Sequence, residues 1–89
     1  MAEIKASLSA SGAALGQRGR YWGYTVTTVI GAGPVTVFDN TSAAGTVIDV
    51  IPAATVAGTT KTLTTPLPCA IGVFASLAGT TGTVVFLCD

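Results

Sequence analysis

The stretch RYWGYTVTTVI, Arg20–Ile30, decides the fold class. Its residues alternate with period 2 and are strongly β-prone, the pattern of a half-buried strand. The even positions Trp22, Tyr24, Val26 and Ile30 are expected to point inward, with Tyr21, Gly23 and Thr25 on the other face. GAGP then breaks the run. PVTVFDN and GTVIDVIPA follow as two more strands, linked by NTSAAG, which has the residues of a hairpin loop. KTLTTPLP is expected only as an edge strand or an extended segment, because Pro66 and Pro68 cannot donate to a ladder. CAIGVFASL and TVVFLCD, joined around AGTTG, give the clearest hairpin signal in the chain.

No segment repeats apolar residues at helical spacing over eleven or more positions. The sequence therefore predicts an all-β domain, a small antiparallel β-sandwich or barrel of about six short strands. Residues 1–17 are read as an N-terminal arm or edge strand, and 18–89 as a single β domain.

Eight of the 89 residues are charged, where an average chain of this length carries about 22. The formal net charge is zero, 49% of residues are apolar and the mean hydropathy is +0.69. A folded monomer of 8.8 kDa exposes roughly 4,800 Å², or about one charge per 600 Å². Such a surface lacks the self-repulsion that keeps dilute proteins apart. Burial against copies of itself or a larger particle is the expectation; a monomer coated in Thr, Ser and Gly is the alternative. No run of about 18 apolar residues suggests a membrane span. The first residues, with Glu3 and no continuous apolar core, make a poor signal peptide, so a cytoplasmic product is expected. In that setting the NTS sequon at Asn40 is expected to stay unmodified.

Catalysis finds little support. The chain has no histidine, hence no Ser–His or Cys–His pair. Neither G-x-G-x-x-G nor a P-loop is present, and 89 residues leave little room for a cleft around two carboxylates. No enzyme activity, cofactor or metal site is expected. In GQRGRYWGY, Arg18 and Arg20 beside Tyr21, Trp22 and Tyr24 match a stacking-plus-phosphate surface for single strands or an aromatic platform for sugars. The neutral composition argues against nucleic acid, so the aromatics are read first as core or interface anchors.

Asp39 and Asp49 are equidistant from a turn centred near Ala44. In that register they would face each other and repel. Three arrangements relieve this: a shifted register, a cation from Arg18, Arg20 or Lys61 between them, or a bridging metal. Asp39 with Asn40 is expected to start the turn. Asp49 is expected to face an arginine or an interface rim. Cys69 and Cys88 are read as buried thiols, or as a disulfide if the last hairpin pairs Ala75 with Gly82.

The run GRYWGYTVTT…TVFDNTSAAGTVIDVIPA…PLPCAIGVFASLAGTTGTVVFLCD resembles the small Ala/Thr/Gly-rich virion structural proteins of tailed bacteriophages. The resemblance implies a small β fold, many copies per particle and a structural task, but carries no site residues. The expectation is a capsid decoration, or cement, protein in the virion, assembled in the host cytoplasm. Its partners would be the major capsid protein and itself, as a homo-oligomer such as a trimer. A tail, neck or fibre component is the alternative, and a small carbohydrate-binding module the second.

Overall fold

A computed structural model describes residues 3–89. Eight strands form, and no helix occurs among the described residues: β1 Glu3–Leu8, β2 Gly12–Leu15, β3 Gly19–Thr28, β4 Val35–Asp39, β5 Thr46–Ile51, β6 Thr60–Cys69, β7 Val73–Ser76 and β8 Thr83–Cys88. They make two four-stranded sheets, ordered β1-β8-β3-β6 and β2-β7-β4-β5, with every pairing antiparallel. The expected all-β sandwich is therefore present, with eight strands rather than six. The two additional strands lie in the first fifteen residues. There the segment read as an arm or edge strand supplies both β1 and β2.

The pairings have a simple logic. β4 pairs with β5, β3 with β6, β2 with β7 and β1 with β8. This is one long hairpin, closed at NTSAAG, whose double-stranded ribbon is folded back and forth between two layers. Rolling it brings β8 beside β3 and β7 beside β4. The resulting strand order is that of a jelly roll. Every connection except β4–β5 crosses from one sheet to the other.

That topology overturns the expected hairpin of the last two strands. β7 lies in the second sheet and β8 in the first, with 77–82 crossing between them. Val73, Ala75, Val84 and Phe86 are fully buried. They face one core from opposite sheets, an alternation that looks the same as that of hairpin partners. The possible disulfide falls with the hairpin. Cys69 sits opposite Gly19 on one side of β3, and Cys88 opposite Tyr21 on the other. Strands two apart are separated by about 9.5 Å, beyond the roughly 7 Å reach of a disulfide. Both cysteines are buried thiols.

β3 departs from simple alternation. Tyr21 is 1% exposed and Tyr24 6%, while Trp22, expected inward, is only half-buried. The register against both neighbours shifts between Tyr21 and Gly23. This bulge resets the phase of the strand, so that Tyr21 upstream and Tyr24 and Val26 downstream all face the core. On β6 the same shift spans Leu67 to Thr62, so residues 63–66 leave the ladder and Pro66 needs no strand partner. As expected, β6 is an edge strand.

The bulge requires glycine. Gly23 has φ +134°, and a Cβ there would fall onto the Lys61 carbonyl oxygen. Gly23→Ala is expected to cost about 3 kcal/mol or more, read as a lowered urea midpoint. An unchanged midpoint would mean that β3 does not need this kink.

Candidate functional site

Asp39, Asp49 and Asp89 each have hydrogen-bond or ion-pair partners. At the open side of the sandwich, where edge strands β5 and β6 meet, Asp49 is the centre. Its Oδ2 accepts from the Tyr21 hydroxyl at 2.8 Å. Its Oδ1 accepts from Lys61 Nζ and from the Val50 N–H, both at 2.9 Å. The Asp49 side chain is 7% exposed and that of Lys61 46%. Burial, then the Asp49 charge, drives the Tyr21 hydroxyl far above its ordinary pKa, and the same two causes raise that of Tyr24. Both phenols stay protonated, and Tyr21 stays a donor. The group joins β3 and β6 of one sheet to β5 of the other.

The feared carboxylate clash does not arise. Asp39 lies opposite Thr46, and Asp49 opposite Val37, across a register shift between Val37 and Phe38. The charge facing Asp49 is a lysine, not the expected arginine. Asn40, without Asp39, shapes the NTSAAG turn: its Oδ1 accepts from the Thr41 N–H at 2.7 Å, and its Nδ2 donates to the Ala44 carbonyl at 2.9 Å. Asp39 works elsewhere than expected. It accepts from three successive backbone N–H groups, Ala70 at 3.1 Å, Ile71 at 2.9 Å and Gly72 at 3.3 Å. It thereby holds the crossover from β6 to β7. These bonds, led by that from Ile71, keep its carboxyl below the usual carboxylate range against a partial opposing effect of burial.

At the same end, the Arg20 Nε and Nη2 each donate to an Asp89 carboxylate oxygen at 2.8 Å, a bidentate pair. The Trp22 indole N–H donates to Asp89 Oδ1 at 2.9 Å, and the Arg20 guanidinium lies 5.7 Å from the Trp22 ring centroid. The indole bond is the main cause that lowers the Asp89 pKa; burial partly opposes it and Arg20 adds to it. Backbone bonds between Arg20 and Asp89, at 3.0 and 3.2 Å, extend the β3–β8 ladder over them. Nearby, burial and then the Asp39 charge push the Cys69 thiol up to about 11, which keeps it protonated.

Arg18, Gly19, Arg20, Asp39, Pro68, Cys69, Ala70 and Asp89 line one open cleft of about 560 Å³. The structure thus brings together Arg18, Arg20, Asp39, Asp89 and Cys69, and leaves Asp49, Tyr21, Tyr24 and Cys88 outside. Tyr21 and Tyr24 are core, and Trp22 is engaged by Arg20 and Asp89, so the three aromatics form no open stacking platform. Pro68 and Ala70 escaped sequence reasoning because neither carries a chemical signal; only the fold puts them beside the arginines. No group of three or more potential metal ligands occurs among the described residues. Among the described residues no helix is long and apolar enough to cross a membrane. No family model, curated protein or solved structure matches the chain.

Two consequences are measurable. Asp49→Ala leaves the buried Tyr21 hydroxyl without its acceptor and should cost about 2–3 kcal/mol. Tyr21→Phe should cost about 1 kcal/mol, and Lys61→Gln, which removes a half-exposed charge, less than about 1 kcal/mol. Urea denaturation of the three variants checks that order; equal losses would dissolve the group into independent contacts.

Asp39 adds a pH dependence. Its folded pKa is depressed, so its contribution is present above the unfolded value of about 3.9 and is lost as pH falls through the folded value. Asp39→Asn should be less stable than the parent at neutral pH. The two should converge as the solution is taken to about pH 2. A gap that stays constant with pH would place the effect of Asp39 outside its charge.

Proposed function

We propose that this chain is a structural virion protein that decorates and stabilises a phage capsid by binding the outer face of the major capsid protein shell. The observation that carries this reading is how the charges are used. Lys61 is spent on Asp49, Arg20 on Asp89, and Asp39 on three backbone N–H groups. Arg18 alone among the described charged side chains has no such partner. The rest of the described surface is largely Thr, Ser, Ala and Gly, with Val29, Val47, Val50, Val56 and Ile71 about half exposed or more.

A neutral surface of this kind adheres by area and shape, with little desolvation of charge. The folded chain exposes 4362 Å². A standard interface takes about 800 Å² from each partner, close to a fifth of that surface. Many copies on a symmetric shell add avidity without any chemistry. The jelly-roll strand order supports the reading by analogy only, since it recurs in viral capsid domains and in lectins alike. The sequence resemblance supports it in the same associational way.

Protein stoichiometry of purified particles from the virus that encodes the chain is the test. Hundreds of copies on the outer shell, visible by cryo-electron microscopy, are expected. A dozen or fewer would move the protein to the neck, tail or fibre. Its absence from the particle would sink the structural reading.

A further inference from the structure

The cleft at the Asp89 end is built asymmetrically. Its acceptors are engaged: the Asp39 carboxylate by Ala70, Ile71 and Gly72, and the Asp89 carboxylate by Arg20 and Trp22. Its donors are not. Arg18 is exposed, lines the cleft and has no hydrogen-bond or ion-pair partner among the described residues. A guanidinium offers five N–H donors in a planar fork, and in Arg20 only Nε and Nη2 are used by Asp89. The ligand that complements this wall must bring acceptors.

We propose that the cleft is a carboxylate-binding site with Arg18 as its principal contact. A planar carboxylate matches the guanidinium fork with two parallel hydrogen bonds. Its single charge fits the balance of the site. Among the described side chains that line the cleft, two guanidiniums are matched by the Asp39 and Asp89 carboxylates, so there is no charge surplus to favour a dianion such as phosphate over a monoanion. Pro68, Ala70 and the protonated Cys69 supply an apolar flank for a short carbon stem. A volume of about 560 Å³ holds a small acid or the end of an acidic side chain. The inference does not depend on the capsid reading.

The test is a titration of the isotope-labelled full chain at constant ionic strength, followed by amide and indole NMR shifts. The Trp22 indole N–H, bonded to Asp89, reports on the cleft wall. Probes are acetate, inorganic phosphate and a blocked glutamate-rich tetrapeptide. Saturable shifts confined to the cleft are expected with acetate and the peptide. Arg18→Gln should weaken both about tenfold, and Ala70→Phe, which fills the cleft from an exposed position, should abolish them. Lys61→Gln, outside the cleft, should change neither. Peptide tighter than acetate identifies an acidic side chain of a docked protein as the source; equal affinities identify a free small acid; both outcomes support the site. Phosphate binding tighter than acetate, no saturation below about 100 mM, or unchanged affinity in Arg18→Gln would overturn it.

Discussion

Gly23 holds a backbone angle that side chains rarely adopt, directly over the Lys61 carbonyl. Much of the molecule is arranged around that kink. With strict alternation β3 would bury Trp22 beside Tyr24 and turn Tyr21 out. The bulge instead buries Tyr21, so that its hydroxyl reaches Asp49 on the facing sheet. It lets Trp22 lean towards Asp89. It also lets residues 63–66 of β6 leave the ladder, so that a proline-bearing strand can still pair at both ends. One unpaired residue thus sets which aromatics are core, which acid is nearly buried, and how the edge strand closes.

The charges have the same logic. A small sandwich with sixteen buried apolar residues and no buried charged ones among the described residues has little interior to spare for ions. It places its acids at seams. Asp49 closes the open side between β5 and β6, and Asp89 ties β8 to β3 through Arg20 and Trp22. Asp39 clamps a crossover by accepting from main-chain donors that would otherwise need water. Exposed ion pairs contribute little; these contribute more because each also satisfies a tyrosine, an indole or a backbone N–H. The Asp49 side chain further occupies the Val50 N–H on edge strand β5. This removes a donor that a foreign strand would use, and Pro66 and Pro68 do the same for β6.

The strands were largely legible because alternation is local: Val35–Asp39, Thr46–Ile51 and Thr83–Cys88 can be read residue by residue. The pairing was legible only at NTSAAG, the one connection that stays within a sheet. AGTTG has equal turn chemistry, yet it carries the chain across the core. Gly82, at φ +124°, packs against Ile30 there, a contact between residues fifty-two apart. Period-2 burial states that a strand has an inner face and is silent on which sheet it joins. For the same reason Asp39 could be read as a turn residue but not as the partner of Ala70–Gly72, thirty-one to thirty-three residues away. The bulge hid in RYWGY, where the glycine between aromatics was the sign that alternation would slip.

The rolled-ribbon topology also bears on why so neutral a chain carries these seams. β1 pairs with β8, so the first sheet is completed only when the ends of the sequence meet, and β3 gains its inner neighbour at the same moment. Folds dominated by such distant pairings close slowly and leave strand edges uncovered while they do. A chain with net charge gains some protection from self-repulsion in that interval; this one has none. Its protection is local. The prolines of β6, the lysine facing Asp49 and the carboxylate on the Val50 N–H all lie on the two edges at the open side of the sandwich. The neutrality of the chain therefore coexists with two edges, β5 and β6, that resist indiscriminate strand addition.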